Sequence, residues 1–267
     1  MPQFHGIIAP HPLSILPHEA NRTIIGEYED LIKNYLKLTK KVGEWQPDTI
    51  IIISPRGTCY LEGITIHNPT TNQFIAKLAE IKQSDLTFES DKNLIHSLLK
   101  HCQENGLTVI ETDNETLDPG AIVPLFYQTK GLKKTPDLVY LNMGHIRPEK
   151  HFQFGQILNQ LAHTSNKKVL FIAAADLSHK LTKASPGGYS KLGKAFDKEI
   201  REDLNQQNYE RITLYDSFDM DEAGEAGVRP ICAMLGFLQN QPHHLQEHNY
   251  SAPEGVGYLL SSTFTLR

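Results

Sequence analysis

The sequence predicts an α/β fold: one central sheet, mostly parallel or mixed, with helices on both faces. Three observations predict it. Short β-rich runs alternate with amphipathic helical runs, residues 49–53 form an unbroken β-branched run, and no linker, repeat or charge block divides residues 1–267. The expected organisation is therefore a single domain, at a length that one α/β domain can reach (roughly 250 residues).

The elements follow in order. Residues 6–9 read as the first strand. A long helix is expected from about Asn21 to Trp45, because Ile24, Tyr28, Leu31, Tyr35, Leu38, Val42 and Trp45 recur by threes and fours on one face. Pro47 and Asp48 end it. The isoleucine run that follows suits a central strand covered on both sides. A second helix runs from about Asp91 through Leu94, Leu98 and Cys102 to the stop signal Asn105-Gly106. Strands are expected at residues 107–110, 138–141 and 169–173. Leu192, Phe196, Ile200 and Leu204 mark a later helix, and Ile231, Leu235 and Leu238 mark another. Residues 256–266 read as the closing strand.

Composition excludes several classes of function. Asp and Glu number 31 against 26 Lys and Arg, a net charge of −5. That balance gives no general attraction to nucleic acid or to an anionic membrane. No apolar run approaches the roughly 20 residues that span a bilayer. Residues 1–5 show no basic segment followed by an apolar one, so no signal peptide is expected. Cys59, Cys102 and Cys232 lack CxxC spacing, which gives neither a zinc signature nor a disulfide framework and points to a reducing cytoplasm. Of the 13 histidines, His96, His101 and His163 fall on helical faces and read as surface residues.

Candidate chemistry gathers at strand ends, where open α/β sheets bind ligands. The first strand ends in Pro10-His11-Pro12, the second in Ser54-Pro55-Arg56-Gly57, and the strand at 169–173 in Asp176-Leu177-Ser178-His179. Proline fixes the backbone beside a polar side chain and so aims it. Singly, each segment reads as a rigid turn or a helix cap; together, at strand ends, they read as one site.

These segments carry a resemblance. Pro10-His11-Pro12, Ser54-Pro55-Arg56-Gly57, the stretch from Leu117-Asp118-Pro119-Gly120 to Val123-Pro124-Leu125, Asp176-Leu177-Ser178-His179 and Tyr250-Ser251-Ala252-Pro253-Glu254-Gly255-Val256-Gly257-Tyr258 occur in order. The chain resembles the class III extradiol ring-cleavage dioxygenases, the LigB-type proteins, close to forms associated with AmmeMemoRadiSam system proteins. The resemblance implies a cytoplasmic oxidoreductase of aromatic compound catabolism that opens catecholic rings with O2 at a non-heme Fe(II). Two histidines and one glutamate would hold the iron, a further histidine would move protons, and a homodimer would be the assembly.

Carried over by position, His11 matches the first metal histidine and His179 the acid–base histidine. Arg56 stands for the second metal histidine, Ser251 for the metal glutamate and Pro119 for a pocket histidine. One of three metal ligands survives. A guanidinium offers no lone pair to a metal. At about 4 Å and an effective dielectric near 20, each unit of like charge costs about 4 kcal/mol. A family-type iron site is therefore not expected, and in this chain the cofactor is expected to be absent. His18, Glu19, His145 and Glu254 are nearby donors for a rearranged site. Glu254 lies an odd offset from Ser251, so an extended chain would turn it away, whereas a turn at Ala252-Pro253 would redirect it.

Two readings compete. One is a ring-opening dioxygenase with an altered metal site. The other is a metal-free homologue that binds a small aromatic or anionic ligand through Arg56, with Asp118 or Asp176 pairing the empty guanidinium. A third, metal-free catalysis by His179, finds no supporting nucleophile; Cys59 reads as a small buried residue.

Overall fold

Four parallel strands form the middle of the molecule, and each is built from a run that the sequence makes apolar on both faces. In the computed structural model, which describes residues 3–17, 25–78, 86–239 and 243–266, these are β1 (Phe4–Ala9), β2 (Thr49–Ser54), β8 (Asp137–Asn142) and β9 (Val169–Ala174). They lie in the order β1, β9, β2, β8. All six residues of β1, of β2 and of β9 are buried. Alternation then splits the side chains between two cores: Ile50 and Ile52 face one layer of helices, Ile51 and Ile53 the other.

The sheet extends at both edges with antiparallel pairs. β11 (Tyr258–Ser262) pairs with β1, and β10 (Gln246–Ser251) pairs with β11. On the far side β3 (Ile64–His67) runs antiparallel to β8 and parallel to β6 (Val109–Thr112). Among the described residues this makes an eight-stranded mixed sheet. A small second sheet joins β4 (Gln73–Ala76), β5 (Thr87–Glu89) and β7 (Thr116–Leu117).

One face is covered by α1 (Ile25–Trp45) and α3 (Pro119–Thr129), which pack on each other. The α1 stripe Tyr28, Leu31, Tyr35, Leu38, Val42 and Trp45 is buried, as its spacing predicts. Residues 21–24, where that helix was expected to begin, lie outside the described residues. The other face carries α2 (Lys92–Glu104), α4 (Pro148–Ser165) and α8 (Val228–Leu238). Around it lie α5 (Lys191–Asn205), α6 (Tyr209–Thr213) and α7 (Ser217–Ala223). Among the described residues no helix is long and apolar enough to cross a membrane.

The fold class agrees with the sequence reading, with local differences. The closing strand is shorter than residues 256–266: β11 covers Tyr258–Ser262 and follows a 3-10 turn over Pro253–Gly255. The strand expected at 107–110 is displaced to Val109–Thr112, because Leu107 closes onto the end of α2 through its amide and the Cys102 carbonyl. Helices α3 and α4 escaped the reading. Each opens on a proline at its first position, which favours a helix start, and Pro124 inside α3 disguises the rest.

Candidate active site

Parallel register brings the three candidate segments level. Ala9 pairs with Ala174, Ile53 with Ala173 and Ser54 with Asn142, so β1, β2, β8 and β9 stop on one line. His11, Arg56 and Asp176 each lie two residues beyond their strand's last residue. This is the carboxyl edge of the sheet, and the side chains converge there.

Asp176 is the anchor. It is 1% exposed, and its Oδ1 accepts the backbone N–H of His11 at 2.9 Å. Its Oδ2 lies 3.4 Å from Arg56 Nη2, 3.2 Å from His11 Nε2 and 3.8 Å from His179 Nε2. Arg56 spans the group: Nε donates to His11 Nε2 at 3.1 Å, and Nη2 is 3.2 Å from His179 Nε2. The guanidinium side chain stays 47% exposed, so its outer edge faces the cavity. Asp176, rather than Asp118, is its carboxylate partner.

Tautomers follow from the partners. His179 Nδ1 lies 3.1 Å from the Leu177 carbonyl and 3.0 Å from that of Gly224, so Nδ1 carries the proton and Nε2 offers a lone pair to Arg56. His11 is fully buried, and burial, outweighing the charge of Asp176, lowers its imidazole below the ordinary value. It is therefore neutral. With Arg56 Nε–H aimed at Nε2, the His11 proton sits on Nδ1, which has no hydrogen-bond partner among the described residues.

Asp118 lies beneath the group. Its Oδ1 accepts Ser54 Oγ–H at 2.7 Å and the Ala121 N–H at 3.1 Å, capping α3. Its Oδ2 accepts the Tyr140 hydroxyl at 2.5 Å and Asn142 Nδ2 at 2.8 Å. Asn142 Oδ1 in turn takes the Nε2 proton of His67 at 2.7 Å, and that ring stacks on Tyr140. Burial lowers His67 from its ordinary value, whereas burial and the Asp118 charge raise the Tyr140 phenol. Gly57 is required here, since a Cβ would stand 2.2 Å from Asn142 Oδ1.

A cavity of about 330 Å³ opens above Arg56, walled by Pro12, Leu13, Ser14, Pro119, Glu254 and Tyr258 as well as His11 and Asp176. Pro119 lines it from the first turn of α3. Glu254 reaches it because the Pro253–Gly255 turn holds Glu254 at φ 57°, the turn that redirects an otherwise misdirected side chain. Ser251 does not line it: it ends β10 opposite Tyr258, and Asn249 donates to its hydroxyl at 3.2 Å. His179 touches the cavity's floor through Arg56. His18 and Glu19 lie outside the described residues, and His145 is exposed elsewhere, its N–H on the Tyr60 carbonyl. Cys59 donates to the Pro55 carbonyl at 3.6 Å, and burial pushes its thiol up to about 11.

The sequence reading missed Leu13, Ser14 and Tyr258 as walls and Tyr140 and Asn142 as supports. Asn142 left a signal: it is the polar residue that ends the buried run of β8. A larger hollow of about 890 Å³, lined by Phe152, Gln207, Tyr209, Arg211, Leu235 and His243, lies away from these strand ends.

The sequence model of the family described as the catalytic LigB subunit of aromatic ring-opening dioxygenase matches residues 5–260. The chain belongs to the LigB family. It is 26% identical over 262 residues to Protein CA_C1420 of Clostridium acetobutylicum, covering 94% of this chain and 55% of that protein. The chain thus spans about half the length of this curated relative. It is also similar in fold to a solved structure, that of uncharacterized protein JW3007 from Escherichia coli K12. That likeness has a TM-score of 0.64 at 14% identity and covers 97% of this chain and 99% of that one.

LigB proteins imply Fe(II), and the residues here do not fit it. The one surviving ligand position, His11 Nε2, already points at a guanidinium N–H, and so does Nε2 of His179, the acid–base position. A metal-holding histidine ordinarily anchors its other ring nitrogen on a partner, yet His11 Nδ1 has none among the described residues. No group of three His, Cys, Asp or Glu among the described residues is arranged to hold a metal ion.

Proposed function

We propose that this LigB-family chain is a metal-free homologue whose pocket binds a small aromatic ligand carrying a carboxylate. The observation that supports the reading is the Arg56 guanidinium, suspended between His11, His179 and Asp176 with its outer edge on the cavity. The lone pair at the family's metal-histidine position, His11, and that at the acid–base position, His179, here accept guanidinium N–H groups. The positive charge stays at the strand ends, but it is covalently attached and offers no coordination site.

The chemistry favours a carboxylate. A guanidinium presents paired N–H donors that match a carboxylate's two oxygens. Arg56 Nη1 has no hydrogen-bond partner among the described residues, and the bond from Nη2 to Asp176 is long at 3.4 Å. An incoming carboxylate takes the outer edge while the inner N–H groups stay on the imidazoles. Tyr258, Leu13, Pro12 and Pro119 give walls for one ring. Burial and the charge of Asp176 raise the Tyr258 phenol, which keeps it a hydroxyl donor.

Calorimetric titration with benzoate, beside metal analysis of protein grown in iron-rich medium, tests the reading. Benzoate binds the wild type, Arg56→Met weakens it at least tenfold, and iron stays far below one per chain. Stoichiometric iron, together with opening of a catechol ring after anaerobic loading with Fe(II), overturns it.

A further inference from the structure

We propose that the ligand of this pocket is an ammonium carboxylate, bound with its carboxylate on Arg56 and its cationic nitrogen on Glu254. This rests on the anion-binding reading above and adds the second charge. Arg56 and Glu254 line the same cavity of about 330 Å³ from different walls. They do not neutralise each other: the carboxylate partner of Arg56 is Asp176, and Glu254 has no ion-pair partner among the described residues. A cavity that offers one carboxylate with no cationic partner among the described residues, and the free edge of one guanidinium, favours a ligand of both signs. It disfavours a dicarboxylate, which would meet Glu254, and a simple amine, which would meet Arg56.

The backbone at Glu254 is a second, independent observation. Glu254 stands at φ 57°, a conformation that residues with a side chain rarely adopt, and Gly255 follows at φ 72°. The turn is held from below. Ser185 Oγ donates to the Gly255 carbonyl at 2.8 Å, the Leu181 N–H lies 3.2 Å from the same oxygen, and a Cβ on Gly255 would strike Ser185 Oγ at 2.0 Å. The loop therefore enforces the conformation that turns Glu254 into the cavity. Tyr28 lies beside it, where burial and the Glu254 charge push the phenol up to about 12. A neutral hydroxyl there leaves Glu254 as the negative group for a ligand nitrogen.

Calorimetry with three probes tests this on the intact chain: 4-(aminomethyl)benzoate, 4-(hydroxymethyl)benzoate and benzylamine. The expected result is that the aminomethyl acid binds at least tenfold more tightly than the hydroxymethyl acid and that benzylamine binds weakest. Glu254→Gln removes the difference between the two acids, while Arg56→Met weakens both. A thermal melt of each variant, within a few degrees of wild type, establishes that it is folded. Equal binding of the two acids, with no change in Glu254→Gln, overturns the ammonium site and leaves the anion site standing. Failure of both acids to bind, or binding unaffected by Arg56→Met, overturns both.

Discussion

Asp118 and Asp176 sit at the same edge of the same sheet, and their surroundings differ in kind. Asp118 is saturated by neutral donors: a serine hydroxyl, a tyrosine hydroxyl, an asparagine amide and a backbone N–H, all between 2.5 and 3.1 Å. Asp176 Oδ2 accepts from the Arg56 guanidinium at 3.4 Å, with the His11 and His179 ring nitrogens 3.2 and 3.8 Å away. The first arrangement is short and closed, and it fixes where β2, β8 and α3 meet. The second is longer and half open, with a partner that faces the cavity. One carboxylate thus closes a structural junction and the other supports a side chain that faces the cavity, although sequence position alone leaves the two equivalent.

The largest expected effect lies at Asp118. Asp118→Ala strands the Tyr140 hydroxyl and the Asn142 amide, at about 1–3 kcal/mol for each buried group. With about 2–4 °C per kcal/mol for a chain of this size, the melting temperature falls by roughly 10 °C. Arg56→Met removes a half-exposed partner whose bond to Asp176 is long at 3.4 Å, and it is expected to cost less than Asp118→Ala in the same melt. Equal losses in the two variants would break the contrast.

Arg56→His sharpens it from the other side. The variant restores a lone pair beside His11 and Asp176 and removes the resident charge. Zinc retained after dialysis is expected to rise at least about tenfold over wild type. No gain would mean that the strand ends have drifted beyond simple reversal.

Acid tests the floor. Burial lowers His67, so in the folded chain it stays neutral below its ordinary value of 6.5, whereas the unfolded chain takes up a proton there. Its contribution is present above pH 6.5 and is lost as pH falls below it, by up to about 1.4 kcal/mol per unit. His67→Gln keeps a donor for Asn142, and its denaturation midpoint is expected to fall less steeply below pH 6.5. An unchanged slope would remove His67 from the floor's acid response.

The smallest effect is at Glu254. Glu254→Gly relieves a left-handed residue and is expected to raise stability by about 0.5–1 kcal/mol in a denaturant titration. A loss instead would show that the side chain holds the turn together.

How much of this was legible follows physical lines. The unbroken isoleucines of β2 and the helical stripe of α1 report burial directly, so sheet and helix were readable. His11, Arg56, Asp176 and Pro119 were readable because each follows a strand end or opens a helix. Ser251 and Glu254 were not separable in advance: one turn decides which faces the cavity, and that turn is set by Ser185 and Leu181, some 70 residues earlier. Asp118 was chosen as a pocket residue, and it lies one layer beneath; three of its four donors come from β2 and β8, a convergence that no local pattern reveals.

The Arg56 bridge has one more consequence. A charge attached to the chain by peptide bonds is supplied by the ribosome. No chelator can strip it, no competing metal can displace it, and oxygen cannot change its valence. On the proposed reading, the positive edge of the pocket therefore does not depend on iron supply.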